Sequence, residues 1–132
     1  MEPRISVVTL GVTDMDRSIR FYADGLGLPH RDDKPPVAYF QLMGAWLALF
    51  PQQALARYAG LPSGNCCMGG VTLSCNVASR EAVDETLTQA ATAGGRIVKP
   101  AENSSYGGYS GWFTDPDGHP WEITWNPNPF IA

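Results

Sequence analysis

Few side chains in this sequence combine a reactive group with a setting that would use it, and Glu122 stands first among them. Asp115-Pro116-Asp117-Gly118 has the composition of a tight turn: proline presets φ, aspartate tolerates the bend and glycine supplies the positive φ. Residues 109–114 and 120–125 on either side alternate as strands. A three-residue hairpin loop then pairs Asp115 with His119 and sets Trp112 opposite Glu122 on one face. A carboxylate there could be a metal ligand, a polar anchor for a bound molecule, a general base, or a solvated strand residue. The anchor is the reading favoured here, because no other donor accompanies it.

The remaining reactive residues carry less. His119 has the opposite parity to Glu122 and is expected to point away from its face, while His30 sits in a charged loop with Arg31, Asp32 and Asp33 and reads as solvated. Cys66, Cys67 and Cys75 are an odd number, two of them adjacent, without the second pair or His-x-His spacing of a zinc site. They are expected as reduced thiols. Arg17 and Arg20 lie beside Asp16 and Asp24 and suit surface pairing better than phosphate recognition. No metal or other cofactor is expected.

The net charge of −4 and pI near 4.9 oppose a phosphate backbone, so no nucleic-acid partner is expected and a neutral or cationic ligand fits better. The apolar run at residues 45–50 is far too short to cross a bilayer. Met-Glu-Pro-Arg at the start lacks the basic residues and apolar stretch of a secretory leader, which points to the cytoplasm and to no membrane association.

These residues must be positioned by a fold, and 132 residues with 44% hydrophobic and 17% charged content suit one α+β domain, 1–132, that needs no disulfide. Val8-Thr9-Leu10 recurs as Val71-Thr72-Leu73, a shift of 63, and each copy leads into a helix that ends at glycines. In the first module, about 1–50, residues 5–12 read as a strand. Thr13 with Asp16 resembles a capping box opening a helix that carries Met15, Ile19, Tyr22 and Leu26 on one face. Residues 37–42 and 45–50 read as strands joined at Met43-Gly44. A linker of about 51–68 follows, with one helical turn near 54–58. In the second module, about 69–132, a strand at 70–77 precedes a helix capped by Ser79 and carrying Val83, Leu87 and Ala90. A short strand at 96–99 and the hairpin complete it.

Two segments, residues 8–28 with Val-Thr-Asp-Met-Asp-Arg-Ser-Ile-Arg-Phe-Tyr and residues 109–127 with Phe-Thr-Asp-Pro-Asp-Gly-His-Pro-Trp-Glu-Ile, resemble the vicinal oxygen chelate superfamily. That superfamily includes glyoxalase I, extradiol dioxygenases, fosfomycin-resistance enzymes and bleomycin-resistance proteins. The resemblance implies two βαβββ modules whose curved mixed sheet encloses a cup, in a chain that pairs as a homodimer. It also implies metal-donor positions on the first and last strand of each module, which fall on Val7, Ala48, Gly70 and Glu122. Only Glu122 can bind a metal, and one carboxylate does not retain a hard divalent ion.

Strand alternation places Val7, Thr9, Tyr39, Gln41, Trp46 and Ala48 on the cup face of the first module, and Gly70, Thr72, Ser74, Trp112, Glu122 and Thr124 on that of the second. Tyr106 and Tyr109 are expected to cover the mouth. Val7, Tyr39, Trp46, Tyr106, Tyr109, Trp112 and Glu122 are therefore the candidate ligand-binding residues, unless Trp46 and Trp112 simply fill a core. Three functions follow in order of preference. The first is a metal-independent protein that sequesters a hydrophobic or aromatic compound such as an antibiotic, conferring drug resistance. The second is a superfamily enzyme, a lyase, isomerase or dioxygenase, with an unconventional or absent metal site. The third is an accessory module whose cup is filled.

Overall fold

Each half begins with an apolar strand that a helix separates from the rest of its sheet, so its first strand joins the sheet in parallel. The computed structural model describes residues 1–31, 36–59, 71–105 and 107–128. The chain divides into two compact units, Met1–Cys66 and Cys67–Ala132. In the first, β1 (Val7–Val12), α1 (Met15–Ile19), β2 (His30–Arg31), β3 (Ala38–Phe40), β4 (Trp46–Pro51) and α2 (Gln52–Ala59) follow one another. The second holds β5 (Leu73–Asn76), α3 (Arg80–Thr92), β6 (Arg96–Asn103), β7 (Tyr109–Thr114) and β8 (Pro120–Trp125). Two four-stranded mixed sheets result, ordered β1-β4-β3-β2 and β5-β8-β7-β6, with the first and last strands of each unit parallel and the other pairs antiparallel. The α+β reading of two modules on one plan is borne out.

The repeat has a different register from the one the Val-Thr-Leu match suggests. Asp14 caps α1, accepting from Arg17 N at 3.0 Å, and Ser79 caps α3, accepting from Ala82 N at 3.1 Å. From 14 to 79 the shift is 65, not 63. The same shift carries Val12 onto Val77, and the buried Ser18 and Tyr22 of the first unit onto the buried Val83 and Leu87 of the second. The three-residue identity thus lies two positions out of register. The cap of α1 is Asp14 rather than Thr13, whose Oγ1 instead accepts from Arg17 Nη2 at 3.0 Å.

Beyond Ile19 the first helix widens into a π-helical turn, Arg20–Gly25, closed by Leu26 N donating to Phe21 O at 2.9 Å. This rotates Phe21 and Tyr22 together into the core, edge to face at 5.0 Å, with Phe40 5.8 Å from Tyr22. Leu10, Val12, Leu47 and Leu49 complete the apolar layer beneath. In the second unit Val83, Leu87 and Ala90 of α3 pack onto Phe113 and Ile123, the helix face expected from the sequence. Burial of such side chains contributes about 1.5–3 kcal/mol each.

Several boundaries differ from expectation, among them β1, which begins at Val7 and not at residue 5. Residues 52–59 form α2 against β1 and β4 rather than a single turn in a linker, with the Phe50 and Tyr58 rings 6.4 Å apart. The second unit's first strand begins at Leu73, opposite Trp121, because Pro120 carries no N–H to extend the ladder, and Val71 is left 68% exposed. Strand β3 is shorter than 37–42. Strand β6 runs on to Asn103 through Pro100; it is an edge strand with two register shifts, where a missing N–H is tolerated.

The β7–β8 hairpin matches its sequence reading, with Trp112 opposite Glu122 and Asp115 N donating to His119 O at 3.0 Å. Gly118 takes φ 90°. The buried Asp115 carboxylate organises the turn, its Oδ1 accepting from Asp117 N at 3.0 Å and His119 N at 2.8 Å. Its Oδ2 lies 2.8 Å from His119 Nδ1. That hydrogen bond raises the imidazole pKa above its usual value, outweighing the desolvation that lowers it.

Two predictions concern stability. A group whose pKa is raised by folding stabilises the fold fully below its unfolded value, about 6.5, and loses that contribution as pH rises through the folded value. Urea unfolding should therefore show stability declining as pH rises from about 6.5, a decline that His119→Gln removes. In addition, a Cβ at Gly111 would lie 2.5 Å from Leu87 Cδ1 and 3.0 Å from the Ala101 backbone nitrogen. Gly111→Ala should destabilise by about 1–3 kcal/mol through overpacking, measured by the same unfolding curves.

Candidate functional site

With the helices on one face of each sheet, the opposite faces carry the residues singled out by strand alternation, and the register shows that the two faces correspond. In the first unit Thr9 pairs with Ala48, Ala48 with Tyr39, and Tyr39 with Arg31. In the second, Ser74 pairs with Glu122, Glu122 with Trp112, and Trp112 with Lys99. Directly opposed residues share a face. Each unit therefore presents a row of hydroxyl, central residue, aromatic ring and basic side chain across its four strands. Tyr39 and Trp112 occupy equivalent places, as do Arg31 and Lys99.

In the first unit Val7 lies opposite Trp46 and is 40% exposed. The Tyr39 and Trp46 rings meet edge-on at 6.3 Å, and the Arg31 guanidinium stands 5.8 Å from the Trp46 ring centre. The three candidates Val7, Tyr39 and Trp46 thus form one patch. Trp46 is half-buried, not part of a filled core. Arg31 was read from sequence only as a loop charge; its pairing with Tyr39 became legible once β2 was placed.

In the second unit half-buried Trp112 and Glu122 lie side by side, and Ser74 Oγ donates to Glu122 Oε2 at 3.3 Å. Lys99 Nζ is 2.8 Å from Glu102 Oε1, a hydrogen bond that raises the lysine pKa. The arrangement offers a flat apolar surface beside an oriented carboxylate, with a hydroxyl holding one of its oxygens.

Tyr109 stands elsewhere. It shares the odd parity of Gly111 and Phe113 and so faces α3, where its hydroxyl donates to Asp84 Oδ1 at 2.9 Å and raises its own pKa. Arg80 lies 5.1 Å from the Tyr109 ring and 5.0 Å from that of Trp125. The expectation that Tyr109 covers the mouth of a cup gives way to this packing, because the first residue of β7 has the parity that faces the helix. Tyr106 lies outside the described residues, as do Gly70, Cys66 and Cys67.

The register also corrects one metal-donor position. Val7 precedes by two residues Thr9, the partner of Ala48; the residue two before Ser74, the partner of Glu122, is Thr72. Thr72, not Gly70, is the counterpart of Val7. The four positions then hold valine, alanine, threonine and glutamate, a donor set that does not fit a divalent ion. Among the described residues no three His, Cys, Asp or Glu side chains cluster as metal ligands elsewhere.

The family model described as Glyoxalase/Bleomycin resistance protein/Dioxygenase superfamily matches residues 4–123. The crystal structure of a glyoxalase-related enzyme from Fulvimarina pelagi is 33% identical, with TM-score 0.87, covering 98% of this chain and 94% of that one. A glyoxalase/bleomycin resistance protein/dioxygenase family enzyme from Burkholderia phytofirmans PsJN is 21% identical, with TM-score 0.77 and coverage of 92% and 98%. Lactoylglutathione lyase from Agrobacterium tumefaciens is 22% identical, with TM-score 0.70 and 94% of each chain covered. The last two likenesses concern the fold alone. With its two βαβββ units and a family match over nearly its whole length, the chain belongs to the Glyoxalase/Bleomycin resistance protein/Dioxygenase superfamily.

Proposed function

We propose that the protein binds a planar hydrophobic or aromatic compound on these sheet faces, without a metal ion, and releases it unchanged. Sequestration of an antibiotic in the cytoplasm, and hence drug resistance, is the corresponding biological role. The observation that carries this reading is the pairing of two changes in the same rows: central positions Ala48 and Glu122 provide one carboxylate in place of a metal-ligand set, while Tyr39 and Trp112 flank them with aromatic surface. Rings of this kind add about 0.5–1.5 kcal/mol each beyond area burial when a flat ligand stacks on them. Glu122, held by Ser74, is the anchor for a donor or cationic group.

A second reading, a superfamily enzyme using Glu122 as acid or base, draws support from the Ser74–Glu122 hydrogen bond and from the 33% identical glyoxalase-related enzyme. Recovery of the bound compound separates the two readings: unchanged mass after prolonged incubation supports binding, and a product that forms with the wild type but not with Glu122→Gln supports catalysis.

The reading also includes a homodimer, supported by the edge strands β1 and β5 and by the exposed Ile5, Val7 and Val71. Sedimentation at tens of micromolar should give a dimer, and a monomer would overturn this element. In calorimetric titration with a planar ligand found by thermal-shift screening, Tyr39→Ala and Trp112→Ala should each weaken binding by about 1–3 kcal/mol. Glu122→Gln should spare a neutral ligand and cost a cationic one about 1.5–3 kcal/mol. Excess chelator should leave affinity unchanged. Full affinity in both aromatic variants would remove the sheet faces as the binding site.

A further inference from the structure

The open face of the second sheet carries fixed charges of both signs about one aromatic ring. Glu122 on β8 and Lys99 on β6 are each the direct partner of Trp112 on β7, one on either side. Neighbouring strands lie about 4.8 Å apart, so the two charged positions stand about 10 Å from each other across the indole. Lys99 reaches its place through a bulge. Ile97 pairs with Phe113, so regular pairing would set Val98 opposite Trp112, but a register shift between residues 97 and 99 puts Lys99 there, and Val98 is 53% exposed. Bulges of this kind re-aim a side chain and bend the strand that bears them. A second shift brings Glu102 opposite Ser110 on the same face, where its Oε1 lies 2.8 Å from Lys99 Nζ. The side chains of Lys99 and Glu102 are 58% and 60% exposed, and Trp112 and Glu122 are half-buried, so a molecule lying on the ring can touch both ends of the row.

We infer that Lys99 is a specificity-determining residue and that the second sheet face takes an aromatic zwitterion, a flat ring with a cationic group at the Glu122 end and a carboxylate at the Lys99 end. The inference rests on the reading of this face as a binding site and narrows what it takes. At the first end Ser74 Oγ donates to Glu122 Oε2, and the two oxygens of a carboxylate have the capacity to accept a bidentate guanidinium as well. At the other end the Lys99–Glu102 pair is exposed, and exposed ion pairs contribute little to stability. A ligand carboxylate can therefore take the ammonium from Glu102 at small cost. A dianion would meet Glu122 and Glu102, and a dication would meet Lys99. Like-charge repulsion thus selects a molecule with one charge of each sign, in this order along the row.

The probe is 4-guanidinobenzoate, compared with its methyl ester, which keeps the shape and removes the negative charge, and with phenylguanidine, which lacks the carboxyl group. Calorimetric titration at low salt should give the acid about threefold to tenfold higher affinity than either comparator, an advantage that shrinks as salt is added. Lys99→Gln should remove the advantage and leave the affinity for phenylguanidine unchanged, and Lys99→Arg should retain it. Glu102→Gln releases the ammonium and should enlarge the advantage, whereas Glu85→Gln, the same change of net charge at an exposed residue of α3, should not. Circular dichroism checks that each variant folds. If phenylguanidine binds and loses affinity in Trp112→Ala, but the carboxylate adds nothing, the sheet-face reading stands and this inference is overturned. An advantage that survives Lys99→Gln overturns it equally, leaving Lys99 the role of an edge lysine that discourages strand pairing. If none of the three compounds binds up to its solubility limit, the inference falls together with the reading of this face.

Discussion

The parallel ladder between the first and last strand of each half is the constraint on which the rest depends. A parallel partner cannot be reached by a tight turn, so a helix must cross over between the strands. That helix lies on one face of its sheet and buries the even-numbered residues of β1, with Leu10 and Val12 inside and Val7 and Thr9 exposed. The opposite face is left for other chemistry. Because the ladder also fixes which residue of the last strand lies beside which of the first, Thr9 and Ala48, or Ser74 and Glu122, are brought together by backbone geometry rather than by affinity for each other.

The equivalence of the two rows makes their difference informative. Hydroxyl, aromatic and basic positions are matched between the units, and the central residue is not: alanine in one, glutamate in the other. A site relying on chelation needs donors from several strands, since one carboxylate leaves most of the coordination shell to water. A site relying on stacking needs flat apolar surface and one directional contact. The two rows hold aromatic surface at Tyr39 and Trp112 and one carboxylate at Glu122, elements of the second kind.

What was legible in the sequence tracks how local the determining physics is. The hairpin could be read to the residue because its loop is set by Pro116 and Gly118 within a few positions, and the register then followed for Trp112 and Glu122. Ser79 and the Val83, Leu87, Ala90 face were legible for the same reason. The repeat was visible but misplaced by two residues, because alternating β-branched and leucine side chains recur in any strand of this class, whereas a helix cap occurs at one place only. Tyr109 begins the expected strand 109–114 but was placed at the mouth with Tyr106; its parity with Gly111 and Phe113, fixed by pairing with β8, sends it toward Asp84 instead. His30 was hidden by its charged neighbours, since a strand of two residues, His30–Arg31, is too short to show alternation.

That short strand gives the first unit two distinct chemistries back to back. Arg31 stands over Trp46 on the open face, and His30 stacks on Phe40 on the helix side. A shift of one residue in the pairing of β2 with β3 would exchange them, bringing a guanidinium into the apolar layer. Burying a guanidinium charge among hydrocarbon costs far more than burying an imidazole, so the observed register is strongly preferred although only two residue pairs among the described residues hold it. The side chains thus select the pairing that the backbone alone specifies weakly, and in doing so they set the polar character of each face of the first sheet.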